Sequence, residues 1–436
     1  MRPPQILTIG FIIIIAIGTL LLSLPVASST GKPVALIDAL FTAASATAVT
    51  GLATVDTQTT YSLFGELVIL CMIQIGGLGF MTLSTMVALI IGKRITIKER
   101  LVIQEAMNQL SLEGMVRLVR SVILFTLLAE GIGAVLLSIR FSSQMPLGQA
   151  IYFGIFHAVS AFCNAGFDLF SKSLVDYRGD LLVNLTVIFL VVVGGLGFSV
   201  VTDIYNKRSW KRLSLHSKVV IRVTIFLLVM ATVIILALEY TNPKSIADLP
   251  FGEKILASFF QAVMPRTAGF NTLNLADFRS ATLMSIIVFM FIGASPGSTG
   301  GGIKTTTFAA IALAIWSVIR GNNDVELFKR RLPIRTVLKA LAIASISLLW
   351  VVLVTVILLI TEQASLQTVL FEATSAFATV GLSTGLTSDL SVIGKLLIAL
   401  TMLIGRVGPL TMAFAIAQKG GSKGLRRYPE ERIIVG

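Results

Sequence analysis

Apolar residues run along this chain in long blocks, and the charged residues fall almost entirely between the blocks. Stretches of about 18 or more nearly uncharged residues are long enough to cross a bilayer as helices. Eight stretches qualify: Ile6 to Leu24, Leu67 to Ile91, Ser121 to Ile139, Leu181 to Val201, Val223 to Leu238, Leu283 to Ile319, Leu341 to Ile360 and Val392 to Ala417. The first is long and lacks a clean small-residue cleavage site, so it reads as a retained helix rather than a leader. Four further apolar runs, Asp38 to Val49, Gln149 to Cys163, Lys254 to Met264 and Leu366 to Ala378, are only 11 to 15 residues long. At 1.5 Å per residue a span needs roughly 20, so these runs predict half-membrane helices that enter from outside and return through a turn. Irregular backbone at that depth survives only where it faces protein or a water-filled cavity.

Each short run ends in a glycine-containing turn: Val49-Thr50-Gly51, Asn164-Ala165-Gly166, Thr267-Ala268-Gly269 and Thr379-Val380-Gly381. The glycines are 115, 103 and 112 residues apart, and each follows a Phe by ten residues (Phe41, Phe156, Phe259, Phe371). A fixed register over so long a period marks one structural unit copied four times. The predicted fold is therefore an all-α membrane protein of four helix, pore-loop, helix repeats, with eight transmembrane helices and four re-entrant pore helices around one central pore. Its units are residues 1–92, 93–207, 208–320 and 321–418, followed by a tail, 419–436. Four such turns on one axis suit a potassium filter, in which a ring of backbone carbonyls replaces the ion's hydration shell and glycine permits the angles that aim them. The alternative for these glycines is close helix packing.

The third repeat breaks the pattern. Gly293, Ala294, Ser295, Pro296, Gly297, Ser298, Thr299, Gly300, Gly301 and Gly302 interrupt a helix that reads as plain in the other repeats. Proline removes a donor and glycine raises the backbone entropy lost on folding, so this stretch cannot continue as helix. Beneath the filter it would act as a gate. Two cations lie inside predicted spans, Lys304 beside the insert and Arg406 in the last helix. Intramembrane charge is functional by default; Lys304 is equally well read as snorkelling toward the cytoplasmic face, whereas Arg406 lies deep enough to oppose idle cation flow and to bond carbonyls of the insert. Gly297, Gly302, Lys304 and Thr305 approximate a phosphate-binding loop, but Ile303 intervenes and no strand leads into it, which argues against nucleotide hydrolysis.

Composition confirms the class: 55% of residues are hydrophobic and 13% charged. The +13 net charge is spread over alternate connections, with six Lys or Arg in each of Lys93 to Arg120, Lys207 to Arg222 and Arg320 to Lys339, and five in Lys419 to Arg432. The positive-inside rule puts these loops and both termini in the cytoplasm, beside lipid headgroups or an acidic partner. No soluble basic domain is present to hold nucleic acid. The two cysteines, Cys71 and Cys163, and two histidines, His157 and His216, show no disulfide or metal-ligand spacing, and the spans lack the converging acids and bases of an enzyme. A carrier of another cation or small solute with broken helices remains the alternative, although such carriers usually pair inverted repeats.

The four turns, together with Gln74 to Phe80, Gly194 to Phe198, the Gly293 to Thr307 insert, Gly405 to Pro409 and the terminal Glu430 to Gly436, give the whole chain a resemblance to the Trk/Ktr/HKT superfamily of potassium transporters, and within it to the KtrB-type membrane subunit. The chain begins directly at the first helix of repeat one, which favours the Ktr branch. The resemblance implies one pore per subunit, a homodimer in the bacterial cytoplasmic membrane, and a cytoplasmic KtrA-type regulatory ring. That ring, and not this chain, would bind ATP, ADP or NAD. Glycine at the first filter position, here Gly51, goes with potassium selectivity. Gly166, Gly269 and Gly381 are then the other filter glycines, the insert is the gate, and Arg406 is the arginine beneath the filter. Sodium-dependent symport is likewise implied by the resemblance and has no residue pattern of its own here.

Overall fold

The computed structural model describes residues 3–79, 101, 115–322, 324–328, 330–409, 411 and 412. Most of the basic connection from Lys93 to Arg120 and the whole tail from Lys419 onward lie outside them. The described chain is almost entirely helical. In chain order its described helices of ten or more residues are α1 (Pro3–Leu22), α2 (Leu36–Ala48), α3 (Leu63–Leu78), α4 (Met115–Phe141), α5 (Leu147–Phe162), α6 (Leu181–Gly195), α7 (Phe198–Lys207), α8 (Leu215–Glu239), α9 (Phe251–Val263), α10 (Ser280–Phe291), α11 (Thr305–Ile319), α12 (Ile334–Thr361), α13 (Leu366–Ala378) and α14 (Val392–Val407). A two-stranded hairpin, Glu326–Leu327 against Arg330–Arg331, precedes α12.

Among the described residues four helices, within α1, α4, α8 and α12, are long and apolar enough to cross a membrane, or five spans if α6 and α7 count as one broken span. Their outward faces carry exposed leucines, isoleucines and valines, such as Leu124, Leu127 and Leu128 on α4 and Leu348, Leu349 and Val352 on α12. Apolar surface in that quantity suits burial against lipid. By contrast α2, α5, α9 and α13 are enclosed: Phe41, Phe156, Phe260 and Phe371 are fully buried within them. Their starts fall within three residues of the short runs seen in the sequence, and their ends within one.

Helix starts follow local capping chemistry. Ser62, Asp180, Ser365 and Ser391 each accept a bond from the N–H three residues on, satisfying a donor that the first turn leaves free. Carboxylates at helix ends fasten neighbouring helices. Glu362, after α12, accepts the Ser391 hydroxyl (2.6 Å) and N–H (3.0 Å) at the start of α14, and Glu239, ending α8, accepts the Arg279 N–H (3.0 Å) before α10.

The structure corrects the expectation that only the third repeat has a broken second helix. Helix α3 ends at Leu78 before Gly79 (φ 78°), α6 stops at Gly195 and turns by 95° through Gly197 (φ 94°) into α7, and α14 ends before Gly408 (φ 93°). The expected spans Leu67–Ile91, Leu181–Val201 and Val392–Ala417 are therefore not single continuous helices, since a helix ends at or just before a glycine in each; residues 80–91, 410 and 413–417 lie outside the described residues. At Gly197 the reason is visible: a Cβ would sit 2.5 Å from the Pro296 carbonyl oxygen, and Phe198 N–H donates to Gly297 O (2.8 Å). The Gly293–Gly302 insert packs into the break between α6 and α7.

Candidate ion pathway

Each glycine turn has the same backbone signature. Val49, Asn164, Thr267 and Thr379 have φ of 57°, 60°, 68° and 51°, and Gly51, Gly166, Gly269 and Gly381, two residues later, have φ of 92°, 69°, 76° and 89°. A β-branched residue with positive φ costs roughly 1–3 kcal/mol, so it persists only where its surroundings impose it. Here the imposing contacts are helix-end hydrogen bonds. Thr50 N–H reaches Ser45 O (2.8 Å), Ala165 N–H reaches Ser160 O (2.7 Å) and Val380 N–H reaches Ser375 O (2.8 Å). Gly51 N–H adds a bond to Ser45 Oγ (3.1 Å). The third turn, entered through Pro265, uses Ala268 N–H to Met264 O (3.0 Å).

The four turns meet one another in a ring. A Cβ on Gly51 would overlap Ala165 O; on Gly166 it would lie 2.9 Å from Ala268 O; on Gly269, 2.7 Å from Val380 O; and on Gly381 it would overlap Thr50 O. Each glycine thus faces the carbonyl that precedes the next glycine, and the fourth turn returns to the first. The glycine-packing alternative and the converging-turn reading therefore coincide: the close approach is between the turns themselves. Elsewhere glycines serve helix packing, since a Cβ on Gly76, Gly194 or Gly405 would overlap Thr47 O, Phe162 O or Phe377 O. Those carbonyls lie four residues before three of the ring glycines.

The insert lies against one side of this ring. It is pinched at its base by the Ile292–Ile303 bridge and by Thr305 N–H to Ala294 O (3.3 Å), with Gly293 packed onto Gly301 O. Ser295 N–H and Thr299 N–H bond Gly195 O (3.1 Å) and Gly194 O (3.3 Å), and Ser298 Oγ bonds Ser295 O (2.6 Å) within the loop. Gly297 and Gly302 take positive φ, 65° and 68°. Thr299 Oγ1 donates to Asn164 Oδ1 (2.9 Å), while Cβ atoms on Gly300 and Gly301 would overlap Thr267 Oγ1 and Thr379 Oγ1. Gly302 sits beside Ala378.

Lys304 and Arg406 both hold this assembly. Arg406 donates to Thr299 O in the insert and to Gly76 O and Gly77 O (3.2 Å for the last) at the end of α3. It joins the first, third and last quarters of the chain. Lys304 Nζ donates to Gly300 O (2.6 Å), so it is a bonded part of the loop rather than a side chain reaching for water.

Several contributing residues escaped sequence reading. Nine residues before three ring glycines stand Thr42, His157 and Glu372, which differ in chemistry yet all fasten the segment beyond the turn. Tyr61 donates to Thr42 (3.1 Å), Leu169 N–H to His157 Nε2 (3.3 Å), and Ser383 (2.8 Å) and Thr387 to Glu372. Their shared register was readable, but not their shared role. Beyond the second turn, burial pushes the Asp168 carboxyl up to about 6, against the lowering effect of Phe170 N–H and with the Asp56 carboxylate adding to the rise.

Comparison with known proteins places this geometry. A family model described as "TrkH: Cation transport protein" matches residues 2–424. The "Ktr system potassium uptake protein B" of Bacillus subtilis is 46% identical over 434 residues, covering 100% of this chain and 97% of that protein. The protein of the same name from Vibrio alginolyticus is 41% identical, covering 99% and 95%. Among solved structures the potassium transporter TrkH from Vibrio parahaemolyticus superposes with a TM-score of 0.73 at 18% identity, over 94% of this chain and 85% of that one. The last likeness is one of fold.

Proposed function

Because the chain belongs to the TrkH family of cation transport proteins, a family of membrane transporters and not of enzymes, we propose that it is the ion-translocating subunit of a Ktr-type potassium uptake system. The observation that carries this reading is the cyclic closure of the four glycine turns, each glycine facing the carbonyl before the next. Four repeats of helix, pore loop and helix would then surround one pore. Val49 to Gly51, Asn164 to Gly166, Thr267 to Gly269 and Thr379 to Gly381 would supply the filter, mainly through backbone carbonyls, and alternation of left-handed residues turns successive carbonyls to the same side.

The Gly293–Gly302 insert is the gate in this reading. It lies against three of the four turns, and the Arg406 and Lys304 bonds to its carbonyls hold it seated. A fixed guanidinium there also opposes cation entry while the loop is in place. Opening would come from outside the chain, through a cytoplasmic nucleotide-binding ring of the KtrA type acting on a homodimer. The names of the relatives, which speak of a Ktr system, support a partner subunit. Basic loops at the cytoplasmic face offer its docking surface and keep both termini inside. Potassium is the transported ion, with sodium as a co-ion.

The test is growth of a potassium-uptake-deficient bacterium at low potassium with this chain and a Ktr-type regulatory partner, native against Gly381→Ser. Rescue that weakens in the variant supports the filter. A well-expressed native chain that fails with every suitable partner refutes the potassium assignment.

A further inference from the structure

The Leu215 end of α8 carries a cation where its lipid-facing surface begins. Ile225, Phe226 and Val229 stand exposed along one stripe of α8, at the three- and four-residue spacings that share a helix face. Arg222, also exposed, continues that stripe one turn toward Leu215 and borders the apolar stretch from Val223 to Leu238. Its guanidinium lies over two rings from separate segments: that of Phe328, at the tip of the hairpin, 4.2 Å to the centroid, and that of Trp210, in the turn before α8, 5.5 Å. Among the described residues Arg222 has no carboxylate partner. The acids nearest to these segments along the chain are taken: Asp203 pairs with Lys207 (2.7 Å) and accepts the Ser217 hydroxyl (2.6 Å), Asp324 pairs with Arg331 (2.8 Å), and Glu326 stands opposite Arg331 across the hairpin. Helix α11, which packs on α8, is followed by a like pair, Arg320 over Trp316 (4.6 Å).

We propose that Arg222, Trp210 and Phe328 hold the headgroup phosphate of an anionic phospholipid whose acyl chains lie along Ile225, Phe226 and Val229. A guanidinium stacked on rings keeps its N–H edge free, and that planar fork matches two phosphate oxygens. Tryptophan at the border of an apolar face belongs at headgroup level. Lys211 and Arg212, both exposed, follow Trp210, so the local charge favours an anionic lipid over a zwitterionic one. An acidic protein segment would answer the charge and leave the adjoining stripe uncovered, whereas a lipid answers both. Once occupied, the site ties the hairpin to α8. Because α11 runs from the end of the insert toward that hairpin, the lipid also steadies the helix that follows the Gly293–Gly302 loop. The site rests on the membrane reading of α8 and not on which ion is carried.

The experiment follows melting of the delipidated full chain in one detergent, at matched scan rates, as dioleoyl phosphatidylglycerol is added, with dioleoyl phosphatidylcholine and inorganic phosphate as separate arms. The native melting temperature should climb with phosphatidylglycerol and hold still in the other two arms. Arg222→Gln should need about tenfold more phosphatidylglycerol for half the rise, the equivalent of one charge-assisted bond. Arg212→Gln removes an exposed cation that touches no ring, and should change that requirement far less. Where Arg222→Gln does not fold, Phe328→Leu removes one ring, keeps the charge and should still raise the requirement severalfold. A native chain indifferent to phosphatidylglycerol overturns the site, as do equal shifts in Arg222→Gln and Arg212→Gln, which mean bulk surface charge. A response to inorganic phosphate that matches the lipid's overturns the lipid assignment. So does an intact lipid response in Arg222→Gln beside weakened binding of a Ktr-type regulatory partner, which gives the surface to protein. Melting needs no transport, so failure of the potassium reading leaves this result standing.

Discussion

Replacing one ring glycine and two glycines outside the ring by alanine separates two costs that the structure predicts independently. At Gly381 a methyl group must adopt φ 89° and also overlap Thr50 O; at Gly385 it must adopt φ 107° but meets nothing within 4 Å; at Gly131, inside α4, it meets nothing and the φ is ordinary. Left-handed backbone costs an L-residue about 1–2 kcal/mol, and forcing extra volume into a packed site adds about 1–3 kcal/mol. Gly381→Ala should therefore destabilise by roughly 2–5 kcal/mol and Gly385→Ala by about 1–2 kcal/mol. Gly131→Ala should stabilise by about 0.5–1 kcal/mol, because only its unfolded-state entropy changes. The assay is apparent melting temperature in one detergent at one scan rate, since large membrane proteins unfold irreversibly and only matched scans compare. The order Gly131→Ala above native above Gly385→Ala above Gly381→Ala is expected. If Gly381→Ala melts no lower than Gly385→Ala, the contact between the fourth and first turns is wrong, and with it the closed ring.

Arg406→Gln removes charge-assisted bonds to Thr299, Gly76 and Gly77; losing even one such bond, worth about 1.5 kcal/mol, shifts the seated loop's population about tenfold, so basal potassium leak should rise by about that factor in proteoliposomes, and a fall in flux would contradict the role. Asp168, raised to about 6 by burial, favours folding while protonated: that contribution is fully present below its ordinary value of 3.8 and disappears as pH rises through about 6. For transport the same titration adds a negative charge beside the second turn above pH 6, so the external potassium needed for half-maximal uptake should increase from pH 7 to pH 5 in the native chain and change little in Asp168→Asn. His157→Phe keeps the ring packing against Phe170 but strands the Leu169 N–H; the loss should be about 1–3 kcal/mol, visible as a lowered melting temperature that His157→Gln partly restores.

The turns and the short helices before them were legible because lipid sets an absolute length scale: a run of 13 residues such as Leu366–Ala378 cannot span. Phe and Gly at fixed spacing then gave the register. The breaks at Gly79, Gly197 and Gly408 were not legible, since a glycine inside an apolar block looks the same whether it lets two helices approach or lets one end. What decides is a neighbour far along the chain, as the Pro296 carbonyl does for Gly197. The Arg406 bond to a carbonyl of the insert was expected from its depth, whereas its reach into the end of α3 was not legible, because Gly76 and Gly77 are 330 and 329 residues away. Asn164 was identified only as a backbone contributor, and its amide proves to be shared between two turns and the insert.

The meeting of the last turn with the first has a consequence for how the molecule is made. Gly381 closes on Thr50, Lys395 pairs with Asp38 (2.7 Å) across 357 positions, and Thr8 contacts Met412 across 404. The first quarter of the chain, although synthesised earliest, cannot finish its side of the ring until the final quarter has left the ribosome and entered the bilayer. Until then the nascent protein carries an open cleft, lined by uncovered carbonyls, along the flank of α2. A chain cut short before its last quarter lacks the partners of Thr50 O and Asp38, and so cannot close the ring.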